Sequence, residues 1–376
     1  MSAYATPVSA AGSPEAAVDA VLRAVDEVLD RVLDDVASLL QEAARDVDGA
    51  DGADSGPLVV DLVGELRNRV HHPGKRLRPL FAAWGWAACT GPGAAEATHE
   101  RIVEIAAALE LLHLFALIQD DVMDRSDARR GHPTLHVVGA QRHRDRRGLG
   151  SPQLFGDSVA VLVSDLALSE ATLLACAGGG PVARTWRLMA AELVEGQLLD
   201  VAHTAGRGRD LATSMRIARA KSSRYTIGRP LQLGALVAGA PPERVDRLPA
   251  WGDLVGDAFA VRDDVLGAWG DPRLTGKPAG DDLRSGKPTA LIVWAAEMLP
   301  NADRFLLERC DSGRLEDHHV VALQQAMERA GVRRRAEELV RDLLDRADTA
   351  LEAVAPDPAA ADALRGLAHL VAWRDR

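Results

Sequence analysis

Cysteine is nearly absent from this chain: Cys89, Cys176 and Cys310 are the only three in 376 residues. An odd number, far apart and without zinc-ligand spacing, excludes a disulfide framework and reads as buried free thiols in a reducing cytoplasm. Aromatic residues are scarce too, at 4%, and segments with the strict alternation of half-buried strands are few. With alanine, leucine, valine, glutamate and arginine dominant, the chain reads as all-α. Positive charge is in deficit: a formal net charge of −11 leaves no domain-wide basic surface for nucleic acid. No apolar run approaches the roughly 18 residues that cross a bilayer. The opening MSAYATPVSAAGSPE has neither the charged nor the apolar region of a signal peptide. The expectation is a cytoplasmic protein without a transmembrane segment.

What is present is helical periodicity. Residues 1–14 are small, polar and proline-containing, and read as disordered; residues 15–376 read as one large helical domain. From Pro14 to Val47 the pattern is an amphipathic helix, with Val21, Val25, Val28, Val32 and Leu39 among its buried positions. An Asp/Gly linker follows at 48–57. Helices are expected at 58–70, 76–90, 99–123, 155–177, 181–203, 210–226, 228–239, 246–268, 288–299 and 303–311, with two or three more in 317–372. The segment QRHRDRRGLGSPQ at 141–153 reads as a basic, solvated loop. There is no internal repeat.

Two acidic clusters stand out against this background. Asp120, Asp121 and Asp124 form a DDxxD pattern at the end of the strongly apolar stretch ALELLHLFALI, and helical spacing puts Asp120 and Asp124 on one face. Like charges about 4 Å apart repel by roughly 4 kcal/mol at a near-surface dielectric, so such a pair implies a shared proton or a bound cation. Oxygen ligands at this spacing suit Mg²⁺, which keeps positions for water and substrate phosphates. A solvated acidic helix end is the competing explanation. Asp263 and Asp264 repeat the theme, after an apolar helix and before a Gly/Pro-rich loop. Cations accompany both clusters. Lys75, Arg76 and Arg78 follow Gly74; Arg129 and Arg130 lie one turn beyond the first cluster; Lys277 and Lys287 lie beyond the second. Arginine forks and lysine point charges are what diphosphate oxygens require.

Taken together, GKRLRP (74–79), DDVMD with RRGHPTLH (120–136), EGQLLD (195–200), KSSRYT (221–226) and RDDVLGAWGD with TGKPAGDDLRSGK (262–287) resemble the trans-isoprenyl diphosphate synthase (polyprenyl synthetase) family, in collinear order from Gly74 to Thr289. The resemblance is closest to bacterial geranylgeranyl diphosphate synthases. It implies antiparallel helices around a deep cavity, the two aspartate motifs facing across its mouth, and a homodimer. It implies about three Mg²⁺ ions, with Mn²⁺ as an alternative: two on Asp120 and Asp124, one on Asp263 helped by Asp264, with Asp121 completing the first motif. Lys221, Lys277 and Arg129 would contact an allylic diphosphate (dimethylallyl, geranyl or farnesyl), and Gln197, on a helix with Asp200, would approach that diphosphate or the carbocation. Lys75, Arg78, His113 and Arg130 match positions that bind isopentenyl diphosphate. Ser222 and Lys287 complete the substrate-binding set.

Departures from the family pattern are Gly267 in place of a third aspartate, Ala260 where glutamine is common, Ser222 for threonine, and Gln119 where histidine often stands. Phe115 and Ala116, five and four residues before Asp120, would set product length. One large ring beside a small residue resembles members that stop at C20, whereas two aromatics would favour C15. A C15 or C25 product, a class I terpene cyclase and a weakly active partner subunit are the alternatives.

Overall fold

In the computed structural model, residues 14–48, 58–72, 74–90, 94–129, 131–206, 209–271, 280–284, 286–312, 314–354 and 358–374 are described. The expected disorder at 1–14 and the linker at 48–57 lie almost wholly outside them, as do Arg130 and Lys277. The described residues are almost entirely helical, as expected, and fall into two compact units, within 1–183 and 184–376.

The first unit is organised by α4 (Ala94–Met123), which packs against α1 (Pro14–Asp48), α3 (Leu77–Ala87) and α6 (Pro152–Cys176). Its residues from Ile102 to Leu112 are buried nearly all round, as the apolar sequence demands. The apolar stripe of α1 buries Val21, Val25, Val28 and Val32. Leu39 departs from expectation at 60% exposure: after Val36 the helix runs past its packing partners, and every residue from Ser38 to Asp46 is exposed. The acidic face of α1 anchors α2 (Leu62–Val70) and the segment after it. Arg67 spans Asp30 and Asp34 at 2.8 and 2.6 Å, His71 lies 3.0 Å from Asp30, and Arg76 pairs with Asp26.

The supposed basic loop at 141–153 is in part a helix, α5 (Leu135–Asp145). Its buried face of Leu135, His136, Gly139, Ala140 and His143 sits on α6, and the charges on the opposite face concealed that spacing. Contact is close because both sides are glycine there. A Cβ at Gly156 would lie 2.0 Å from the His136 carbonyl oxygen. The Ser151 hydroxyl accepts from the Leu154 N–H and Pro152 opens α6, a start that pairs a side-chain cap with a preset φ.

In the second unit α11 (Leu248–Trp269) is the central helix. Around it pack α9 (Arg229–Val237), α13 (Ala290–Met298), α16 (Val332–Leu351) and α17 (Pro358–Ala372). The tail holds three helices, α15 (Asp317–Ala330), α16 and α17, at the upper end of the expected number. The break expected near 227 is not one: α8 (Leu211–Ala218) runs into a π-helical stretch, Arg219–Gly228, and on into α9. Two helices are long and apolar enough to cross a membrane, Glu96–Met123 and Pro152–Cys176, against the expectation of none. A scatter of acidic residues interrupts their runs in the sequence, yet leaves an 18-residue window apolar on average. In the first the window is 61% buried within the protein.

Of the three thiols only Cys310 is buried; Cys89 and Cys176 are half-buried, and none of the three forms a disulfide. Burial pushes the Cys310 thiol up to about 11, so it stays protonated and inert.

Candidate functional site

Both aspartate clusters lie toward the C-terminal end of their unit's central helix: Asp120 and Asp121 in the last turn of α4, Asp263 and Asp264 within the last two turns of α11. That is the negative end of the helix dipole, where carboxylates are disfavoured and cations favoured. An ordinary solvated surface would carry lysine or arginine there. Acidic residues held at this end call for positive charge from elsewhere.

In the first unit the chain supplies part of it. After Asp124 the backbone turns through Arg125 in the left-handed region, whose guanidinium makes a double contact to Asp157 on α6 at 2.8 and 2.7 Å. It then forms a two-residue ribbon, β1 (Ala128–Arg129) against β2 (His132–Pro133), closed at Gly131 with φ +77°. The Thr134 hydroxyl fastens its base by donating to the Ser126 carbonyl at 2.7 Å. This hairpin folds Arg129 back on the helix end, where Nε donates to Asp121 at 2.8 Å and Nη2 reaches Asp120 at 3.3 Å. Asp121 is buried, while Asp120 and Asp124 are half-buried and closer to solvent. Arg129 therefore neutralises Asp121 chiefly, and the Asp120 and Asp124 carboxylates form the more open pair. The His132 ring packs edge-on against His72, centroids 5.0 Å apart, which brings the hairpin beside the segment carrying Lys75 and Arg78. Arg78 is buried at the start of α3; Lys75 and, on α4, His113, Phe115 and Ala116 are half-buried.

The second unit joins its motifs by close backbone contact. A Cβ at Gly196 of α7 (Gly180–Ala205) would lie 2.5 Å from the Lys221 backbone nitrogen, so only glycine permits this approach of α7 to the π-helix. Across it the Lys221 Nζ donates to Asp200 at 2.5 Å, with Gln197 one turn earlier on α7. On its other side the π-helix lies on α11. Arg219 clamps Asp257 with two hydrogen bonds and Arg224 clamps Asp253 at 3.0 and 2.9 Å; Arg224 and Arg229 share Glu192. Burial pushes the Asp257 carboxyl above its usual range, against the pull of Arg219. Ser222 is half-buried in this stretch, and Ala260 is buried on α11.

Around α11's end the acids crowd. Burial first, then repulsion from Asp282 and Asp263, pushes the Asp264 carboxyl well above the carboxylate range, opposed by the Ala290 N–H and by Lys287. Asp282 escaped the sequence reading. Its Oδ2 lies 2.2 Å from where a Cβ on Gly267 would be, so its carboxylate occupies the space that a third aspartate of the second motif would need. The signal lay in the chain: GDDLR follows the second motif closely in sequence, and the Gly280 N–H donates to the Gly267 carbonyl at 2.9 Å. Restoring the pattern with Gly267→Asp is expected to lower kcat/KM by about tenfold or more, because two carboxylates then contend for one place. Steady-state rates against Mg²⁺ concentration check this, and a gain in metal affinity would show that the space is free.

Each donor set fits a hard divalent cation: it is all oxygen and held partly open at a helix end, and in the first unit three carboxylates outnumber Arg129.

A family model described as polyprenyl synthetase matches residues 62–328. The chain is 32% identical over 310 residues to a (2E,6E)-farnesyl diphosphate synthase of Mycobacterium tuberculosis, covering 80% of each. It is 30% identical over 309 residues to the octaprenyl diphosphate synthase of Escherichia coli, covering 81% of this chain and 87% of that one. A crystal structure of geranylgeranyl pyrophosphate synthase from Corynebacterium glutamicum, complexed with isoprenyl diphosphate and magnesium, superimposes with a TM-score of 0.83 at 34% identity, over 95% of this chain and 99% of that one.

Proposed function

The chain belongs to the polyprenyl synthetase family of prenyltransferases, and we propose that the head-to-tail chain elongation it carries out joins isopentenyl diphosphate to allylic diphosphates chiefly to make geranylgeranyl diphosphate. The observation that carries this reading is the pairing of each acidic cluster with a helix end of the wrong polarity for acids. That arrangement is stable with cations bound.

Asp120 and Asp124 would hold two Mg²⁺ ions, and Asp263 with Asp264 a third, in a single domain over 15–376; Mn²⁺ is the alternative ion. When bound, the metal draws charge from the diphosphate and makes it a better leaving group. The protein's own groups do the rest. Arg129, Lys221 and Lys277 bind the allylic diphosphate, and Lys221 arrives pre-aimed by its bond to Asp200. Gln197 and Ser222 line the same stretch, and Lys287 adds charge beside Asp264. Lys75, Arg78, His113 and Arg130 bind isopentenyl diphosphate and set its double bond against the allylic carbon. The proton lost after bond formation passes to the departing pyrophosphate, so no side-chain base is needed.

Exposed Leu154, Val161, Leu162 and Leu173 on α6 support a homodimer, since an apolar face of this kind marks an interaction site. A cytoplasmic location suits the soluble substrates.

The test incubates the protein with Mg²⁺, isopentenyl diphosphate and each primer (dimethylallyl, geranyl, farnesyl), then identifies the dephosphorylated alcohols by mass spectrometry. Geranylgeraniol is the expected main product. Farnesol would favour the C15 reading that the mycobacterial relative suggests, geranylfarnesol the C25 reading, and a hydrocarbon or no product would point to a cyclase or a partner subunit. Phe115→Ala is expected to shift products upward by at least one C5 unit; an unchanged distribution would remove Phe115 as the floor.

A further inference from the structure

The second acidic cluster has a neighbour that none of the motifs contains. Beyond α17, Trp373 and Arg374 form a short strap laid along α11. The Arg374 guanidinium pairs through Nη2 with Asp263 Oδ1. Its central carbon stands 4.2 Å from the ring centre of Phe259, one helical turn before Asp263 on the same face. The Arg374 carbonyl accepts from Arg262 Nε at 2.7 Å. Trp373 is held by Arg341 of α16, 5.8 Å from its ring centre.

We propose that Arg374 is a positioning residue for Asp263, a tethered counter-cation that holds this carboxylate while the site is empty and is displaced from it when metal and diphosphate load. The inference rests on the reading of Asp263 as a metal carboxylate. Three features of the pair suit exchange over permanence. The Arg374 side chain is 12% exposed but that of Asp263 is 54% exposed, so the carboxylate keeps a face open to solvent. A pair exposed on one side is worth little net and is screened by salt. In addition the Arg374 Nε is buried without a hydrogen-bond partner among the described residues, so docking leaves one donor unsatisfied there. A divalent cation offers Asp263 twice the charge of a guanidinium. Release of Arg374 would leave its cation close to the incoming diphosphate, where the strap can swing but not diffuse away.

The experiment uses the full chain with Mg²⁺ and inorganic pyrophosphate as the probe. Amide hydrogen exchange is followed in peptides covering 368–374, with and without the probe. Exchange at Trp373 and Arg374 is expected to rise about threefold or more on loading, and to be high without it in Asp263→Asn. In a calorimetric Mg²⁺ titration at saturating pyrophosphate, Arg374→Ala is expected to lower the half-saturating concentration by about three- to fivefold, as loss of a competing exposed ion pair implies. Arg374→Lys is expected to fall between Arg374→Ala and the parent. Unchanged exchange on loading, or equal half-saturation in Arg374→Ala and the parent, overturns the proposal; should Arg374→Ala fold poorly, exchange in the unmodified protein decides. Prenyl transfer by the unmodified protein separates the failures. Product with an unmoved strap sinks only the role of Arg374, whereas no product and no Mg²⁺ binding sink the reading of Asp263 with it.

Discussion

Asp120→Asn is expected to cut kcat/KM for prenyl transfer by about 10³-fold, because it removes charge where the leaving group must be stabilised. The shape is preserved, and the contact from Arg129 Nη2 at 3.3 Å is long for a charge-assisted bond. An isosteric change at a half-buried carboxylate leaves stability within about 1 kcal/mol. Asp121→Asn should behave differently. Asp121 is buried and takes Arg129 through both Nε and Nη2, so its substitution leaves a guanidinium half-paired and costs stability first, about 1–3 kcal/mol. Melting curves beside steady-state rates separate the two: Asp120→Asn keeps its Tm and loses activity, while Asp121→Asn loses Tm and a smaller share of activity. An Asp120→Asn enzyme within tenfold of the parent would mean that this carboxylate holds no metal needed in the transition state.

Much of this was legible in the chain, and the limits of legibility are physical. Apolar periodicity exposed α1, α4, α6 and α11 because their buried faces are aliphatic and long. It missed α5, whose buried face includes Gly139 and His143 while arginines crowd the other side. It placed Leu39 in a core that ends at Val36, since a periodic pattern does not announce where its packing partner stops. The aspartate and basic motifs were read from residue type and spacing, which is local information. What escaped them was made by the fold: Asp282 filling the space beside Gly267, Arg374 reaching Asp263 from 111 residues away, Asp26 holding Arg76. A charge at one position says nothing of its partner until the chain has closed the distance. The π-helical stretch at 219–228 was equally silent, because an i+5 ladder has no composition of its own; what sustains it here is glycine on the facing helix.

That glycine contact carries a large expected stability effect. Gly252 and Gly256, one turn apart on α11, let the π-helix lie on it with almost no side chain between. A Cβ at Gly252 would be 2.7 Å from the Gly228 Cα, and one at Gly256 would be 2.6 Å from the Ser223 Cβ. The Ser223 hydroxyl uses the closeness, donating to the Gly256 carbonyl at 2.7 Å, and the Arg219–Asp257 and Arg224–Asp253 clamps flank it. Gly256→Val must push the stretch away, overpacking the contact and loosening both clamps, at a cost of about 3 kcal/mol. For a chain of 376 residues that is roughly a 4 °C fall in Tm. Lys221 and Ser222 ride on the displaced segment, and a shift near 1 Å in a positioning group costs about 10²-fold in rate. Gly366→Ala is the matched control: Gly366 is an exposed helical glycine of α17 with nothing within 4 Å of a new Cβ. There alanine should add about 0.5–1 kcal/mol of stability through helix propensity and leave the rate alone. Should Gly256→Val melt within 2 °C of the parent, the π-helix is not held by this contact, and its grip on Lys221 must come from Asp200 and Gly196 alone.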